Sequence, residues 1–297
     1  MKTVWLLLLP VLIMAGCNTS KKTDESSTVQ EDPSFTLTEM WRTDTVLKTC
    51  ESVLFDENRN VLYVSCINGS SAEKDGDGYV SMLGPDGTIE SLRWVTGLND
   101  PKGMGVHENR LYVTDIDQLV VIDVENAEII RQIPVEGASF LNDISVSENG
   151  DVYLSDSDMG ILWIYSDGEL TPWIREGLNR PNGLYVEEDR VLLASSGSQD
   201  LRVIDRSTGE METVTTGIGA GDGVEYTGME GFYITSSWTG EVFLIYPDYN
   251  KVSLLKTSDE DVNSADIGFN KEDQVLYVPT FHDNRVVAYK LSRTGDE

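Results

Sequence analysis

Six positions carry the residues most able to do chemistry, and they recur at a near-constant interval: Glu51, Lys102, Asn142, Asn182, Asp222 and Ala265. From Lys102 to Asp222 the step is forty residues each time, and Ala265 follows after forty-three. Two carboxylates and two amides gathered in one place form an oxygen-rich set suited to a hard cation, Ca²⁺ before a soft transition metal. The same residue types also satisfy strand-entry backbone and internal water, so each alone is equally a turn former. What matters is whether one fold brings all six together.

The surrounding pattern says that it does. After each of these residues comes a short alternating run, an acidic or glycine turn and a second apolar run, as in Asn182-Gly-Leu-Tyr-Val and Arg190-Val-Leu-Leu-Ala. A forty-residue period of short strands indicates repeats stacked around an axis. Units at 50–97, 99–135, 136–177, 178–218 and 219–257 each hold four strands, whereas 262–291 holds three. The missing strand is Phe35–Arg42, whose alternating Phe35, Leu37 and Trp41 stand apart from the repeats. The expectation is an all-β, six-bladed β-propeller closed by an N-terminal strand in the last blade, which leaves no open sheet edge. First strands line the channel of such a ring, so the six positions share its mouth. Trp238, Phe281 and Tyr79 either rim it and stack a ligand ring or pack within the blades. His282 is the histidine near it, as proton donor or surface residue, and His107 belongs to the opposite face.

Composition narrows the partners. The chain has 297 residues, 40% of them hydrophobic, and carries 51 acidic against 22 basic residues for a net charge of −29. That charge repels phosphate and argues against nucleic acid. Residues 1–16 read as a signal peptide, with Lys2, an apolar run from Val4 to Ile13, and Met14-Ala15-Gly16 ahead of Cys17. The small residues before Cys17 resemble a bacterial lipobox, which implies lipidation at Cys17 and a protein anchored to a membrane of the cell envelope, periplasmic or surface-exposed. Residues 17–34 form a polar tether, leaving 35–297 for the propeller.

Glu51-Ser52, Phe140-Leu141-Asn142-Asp143, Pro181-Asn182-Gly183 and Asp222-Gly223 together resemble the regucalcin/gluconolactonase family of six-bladed propellers. The resemblance implies one divalent cation, Ca²⁺ foremost with Mg²⁺, Mn²⁺ or Zn²⁺ as alternatives, held by Glu51, Asn182 and Asp222. It also implies Asn142 on substrate or metal-bound water, Asp222 as base, and hydrolysis of a lactone or related ester. Phe140 stands where family lactonases often carry a sugar-gripping arginine, which points to a more hydrophobic substrate. Lys102 either ion-pairs with Glu51 or Asp222 in place of the cation, or packs its stem at the rim with its charge in water. Substrate contacts are therefore expected from Asn142, Lys102, Phe140, Trp238 and His282. A non-catalytic propeller that binds a small molecule or protein is the alternative function.

Elsewhere, the acidic run Glu73, Asp75, Asp77 has Gly84 where a calcium loop needs a glutamate, and reads as a hairpin loop. Cys50 and Cys66 fall opposite each other in the first hairpin. Two readings remain open for them, a disulfide or two buried thiols.

Overall fold

The computed structural model describes residues 34–294 together with Met1 and Lys2. The expected signal peptide, Cys17 and nearly all of the tether lie outside the described residues. Between Phe35 and Arg293, twenty-four strands form six four-stranded antiparallel sheets, and the only helical element described is a single 3₁₀ turn at Ser258–Glu260. This is the six-bladed propeller. The strands of each sheet fall within a few residues of the expected units, and the closing strand Phe35–Arg42 has the expected bounds.

Apolar layers between neighbouring blades explain the pattern of each strand. Second strands are buried on both faces and read as continuous apolar runs: Leu111 and Val113, Val152 and Leu154, Val191 and Leu193. Fourth strands are the solvated ones, and in Glu128–Pro134 only Ile129 and Ile133 are half-buried among exposed residues. Between blades two and three, Tyr112, Leu119, Leu141 and Leu154 form one such layer. Equivalent layers fill the other gaps, and between the last blade and the first it is Val53, Leu62, Val275 and Tyr277 that meet.

Closure is by Phe35–Arg42, which pairs antiparallel with Val286–Arg293, from Phe35 opposite Arg293 to Arg42 opposite Val287. A register shift between Glu39 and Trp41 turns the Trp41 indole inward. Its Nε1 donates to the Pro85 carbonyl at 3.0 Å, and its ring lies 5.9 Å from Tyr277. The Pro85-containing turn passes so close that a Cβ on Gly87, already at φ 83°, would come within 2.6 Å of the indole. Glycine is required there on both counts.

The inner strands share a local irregularity that matters for the mouth. Cys50–Asp56, Pro101–His107, Leu141–Val146, Pro181–Val186 and Gly221–Tyr226 each place their mouth residue at the second position, inside the strand rather than ahead of it. At that point pairing skips. Pro101 pairs with Asp115 and Met104 with Val113, so Lys102 and Gly103 oppose a single partner residue, and blades three, four and five repeat this. In blade one the extra residue is Glu51. Such a bulge re-aims the side chain it carries. Hydroxyls of the second strands satisfy the amides left over: Ser52, Asp143 and Gly223 N–H donate to Ser65, Ser155 and Ser236 Oγ at 3.0, 2.9 and 2.8 Å.

Cys50 and Cys66 are direct cross-strand partners and are both free thiols. Cys50 Sγ donates to the Arg285 carbonyl at 3.2 Å. Burial pushes its thiol up to about 12 and raises Cys66 further. Both are accordingly inert in the folded chain.

Two outcomes follow from this architecture. Removing residues 35–42 strips the last blade of its outer strand and lowers the melting temperature markedly, while Trp41→Ala alone costs about 2–3 kcal/mol, less than for a fully enclosed tryptophan; denaturant unfolding of both variants measures it. In denaturant without reductant, Cys50 and Cys66 both take up an alkylating reagent, whereas in the native protein they react at least about 100-fold more slowly. Peptide mass spectrometry reads this, and unmodified cysteines in the denatured, unreduced chain would restore the disulfide.

Candidate functional site

The bulged residues converge on one cavity of about 470 Å³ at the mouth of the ring. Glu51, Lys102, Asn142, Asn182 and Asp222 all line it, from five different blades. Ala265 of the sixth blade is buried beneath the adjoining apolar wall with Ile67 and Phe281. The forty-residue spacing therefore delivered one site rather than six unrelated turns.

Asn182 Nδ2 donates to Asp222 Oδ1 at 3.2 Å. Its Oδ1, and Glu51 Oε2, are buried without any hydrogen-bond partner. Unsatisfied buried oxygens cost free energy unless something else meets them. Burial raises the Glu51 carboxyl well above the ordinary range, the nearby Asp222 charge adds to this, and Lys102 opposes it. Asp222 is raised by burial and then by Asp266. Asn142 is held differently, with Nδ2 donating to Ser157 Oγ at 3.1 Å, and Ser157 Oγ donating in turn to the Pro181 carbonyl at 2.6 Å. That hydroxyl ties the mouth residue of blade three to the entry of blade four.

Orphaned oxygens on Glu51 and Asn182, beside a carboxylate on Asp222, are the donor set that a hard divalent cation takes. The residues present fit such an ion. Among the described residues no three His, Cys, Asp or Glu side chains come together as a metal cage, and this set differs in using an amide with two carboxylates. Glu73, Asp75 and Asp77 form no cage either: Asp77 takes Asn68 Nδ2 at 2.9 Å, and Asp75 accepts the Asp77 N–H at 3.2 Å, as in an ordinary polar loop.

An apolar wall completes the cavity. Trp238 and Phe281 meet edge to face with centroids 4.5 Å apart, Ile67 and Ala220 lie beside them, and Phe140 faces in from blade three. His282 stands behind this wall, exposed, 4.8 Å from the Phe281 ring and outside the lining. Tyr79 does not rim the mouth. It is core between the first and last blades, its hydroxyl accepting from Lys48 N–H at 3.1 Å. An aromatic at the start of a third strand points into the blade layer, which the alternation of that strand could have indicated. His107 lies, as expected, on the opposite face, in a separate polar basin with Glu108, Ser145 and Tyr185.

Lys102 departs from both sequence readings. It pairs with neither Glu51 nor Asp222, and its charge is not in water: the side chain is 3% exposed and its ammonium contacts Asp100 Oδ2. Asp100, two residues earlier and fully buried, was missed because it lies outside the repeating position. Also missed were Asp143 and Asp266, each one residue beyond a mouth position. Asp143 accepts from Ile144 and Leu184 N–H, both at 2.6 Å, and Asp266 accepts from Ser52 Oγ. Burial raises Asp143, and pushes Asp266 up to about 7.

No protein-family profile matches the chain, and no curated protein matches its sequence. Solved structures do match in shape. A catalytically inactive variant of virginiamycin B lyase from Staphylococcus aureus, with quinupristin, shares 10% identity over 87% of this chain and 99% of that one, with a TM-score of 0.61. A streptogramin B lyase structure shares 10% identity over 88% of this chain and 98% of that one, with a TM-score of 0.63. At such identity the likeness is one of fold, and the fold held in common is the propeller.

Proposed function

We propose that the mouth binds one divalent cation, Ca²⁺ foremost, on Glu51, Asn182 and Asp222, and hydrolyses a lactone or related ester there. The observation that carries this is the pair of orphaned buried oxygens, Glu51 Oε2 and Asn182 Oδ1, beside Asp222. When bound, such a cation supplies Lewis-acid polarisation of a carbonyl and orients a water. Asp222 accepts the proton of the attacking water. Asn142 orients the substrate from blade three. The Trp238, Phe281 and Phe140 surfaces exclude water and favour a substrate with apolar groups over a free sugar lactone. The motifs shared with the regucalcin/gluconolactonase family support the same assignment.

Fold relatives that are lyases invite comparison with elimination chemistry. The crystallised lyase variant was inactivated by replacing a histidine. No histidine is among the residues lining this mouth, which favours a carboxylate base. We further propose that residues 1–17 direct export and lipidation at Cys17, so that the propeller works on the cell envelope with a small-molecule substrate as its partner.

The acid groups of the channel give a pH signature. Asp266 rises from 3.8 to about 7, and Glu225, towards the opposite face, from 4.5 to about 8, burial being the first cause of each. The folded chain therefore holds more protons than the unfolded one between about pH 4 and 8, and stability falls as pH rises through that window. With a chelator present, the melting temperature is expected to drop between pH 5 and 8. Added Ca²⁺ reverses the drop more strongly as pH rises, because the cation competes with protons for the carboxylates.

Hydrolysis itself is tested on γ- and δ-lactones bearing alkyl, aryl or hydroxyl groups, with Ca²⁺, Mg²⁺, Mn²⁺, Zn²⁺ or chelator. Asp222→Ala is expected to lower kcat/KM by about 10²–10⁴, the usual range for a general base. Asn182→Ala is expected to weaken the Ca²⁺-induced melting shift. Equal rates in the native protein and both variants would sink the reading, and a Ca²⁺ shift without any turnover would leave a binding propeller.

A further inference from the structure

Lys102 is the mouth residue that this reading leaves without a task. A buried ammonium carries three N–H donors, and leaving one unmet is costly. Asp100 takes two of them: its Oδ2 contacts Lys102 Nζ directly, and its backbone carbonyl accepts at 3.4 Å. No third hydrogen-bond partner for Nζ is present among the described residues. The Phe140 ring lies under the ammonium, 4.6 Å from Nζ to its centroid, and both side chains line the cavity.

The support beneath it is rigid. Asp100 is fully buried, its N–H donates to Asp115 Oδ1 at 2.7 Å, and its Oδ2 also accepts from Ser71 Oγ at 3.1 Å and Ala72 N–H at 2.6 Å. That carboxylate thus joins Lys102 to the loop between the second and third strands of blade one. In a ring of six, blade two faces blade five, so Lys102 enters the mouth opposite Asp222, flanked by Glu51 and Asn142. The cavity between them is the space that a substrate carbonyl would occupy.

We propose that Lys102 is the oxyanion-binding residue of this mouth, its spare N–H taking the charge that develops on the carbonyl oxygen, with Asp100 and Phe140 as positioning residues. The proposal rests on the hydrolytic reading above. Water oxygen bonds to the carbonyl carbon, the C=O π pair moves onto oxygen, and the water proton passes to Asp222. Lys102 donates a hydrogen bond to that oxygen and keeps its proton. As the intermediate collapses the pair returns, the ester C–O bond breaks, and the leaving oxygen takes the proton from Asp222. Lactone and water give the hydroxy acid, with nothing oxidised or reduced. A donor fixed before the reaction needs no reorganisation during it, which is why such groups are worth so much in an enclosed site.

The test uses the full chain with Ca²⁺ and compares the native protein with Lys102→Met, which keeps the stem and removes the charge. Four quantities are read: kcat and KM on a turned-over lactone, affinity for a cyclic phosphonate that mimics the tetrahedral oxyanion, affinity for the uncharged lactam, and the Ca²⁺ melting shift. Lys102→Met is expected to lower kcat by about 10²–10³, as for loss of one oxyanion donor, and to weaken the phosphonate by a similar factor. KM, lactam affinity and the Ca²⁺ shift stay within about threefold. Lys102→Gln, with an uncharged donor, replaces the methionine variant if the latter does not fold, with a loss in the same direction. Native-like kcat and phosphonate binding in a folded variant overturn the proposal alone. No lactone turnover by the native protein overturns the hydrolytic reading and this assignment together.

Discussion

Six inner strands must share one axis, and at their closest approach backbone meets backbone. A Cβ on Gly183 would sit 1.7 Å from the Asp222 carbonyl, and one on Gly103 would sit 2.5 Å from the Asp143 Cα. The residue after each mouth position is therefore small or tightly paired: Ser52, Gly103, Asp143, Gly183, Gly223 and Asp266 in ring order. Side chains survive only where a neighbour yields space. Asp266 stands against Gly223, and Asp143 against Gly103. The pairing skips at the mouth are the other half of this constraint, since they turn the preceding side chain into the opening while the crowded residue faces the axis.

Electrostatics follows from that crowding. Glu51 and Asp222 at the mouth are backed by Asp143 of blade three and Asp266 of blade six, each one residue past a mouth position, and burial raises all four. Asp143 is served by two backbone amides and Asp266 by a serine hydroxyl, so the inner pair has protein partners. Glu51 Oε2 and Asn182 Oδ1 at the mouth have none. Asp143 and Asp266 are thus satisfied by the protein, whereas the Glu51 and Asn182 oxygens stay open towards the cavity, as expected where a ligand completes the site.

Much of this was legible in the sequence because a propeller repeats. The forty-residue period located four of the five lining residues, Glu51 followed from the similar pattern after it, and the three-strand last unit called for Phe35–Arg42. What stayed hidden lay off the repeating position or depended on neighbouring blades. Lys102 was read against Glu51 and Asp222, yet Asp100, two residues away on the same blade, is its partner. Tyr79 by its type suited either rim or core, and the packing of blade one against the last blade took it into the core. Asp143 and Asp266 become conspicuous only once the inter-blade contact distances make side chains at their level exceptional.

A near-symmetric ring acquires a directional site by changing one side chain per blade while keeping the strand that carries it. Here the order Glu, Lys, Asn, Asn, Asp, Ala sets carboxylates in blades one and five, amides in three and four, and nothing polar in six, where Phe281 meets Trp238 of blade five to build the apolar wall. Blade two contributes the one buried ammonium of the lining, and Asp100 both neutralises and aims it. With the proposed dication on the two carboxylates, and Lys102 balanced by Asp100, the mouth would carry little net charge despite the −29 of the whole chain. On the proposed reading, an uncharged ester enters such a mouth without a large desolvation penalty. Separated charges of fixed orientation remain to act when the reacting oxygen becomes negative, and that difference between ground state and transition state is what catalysis requires.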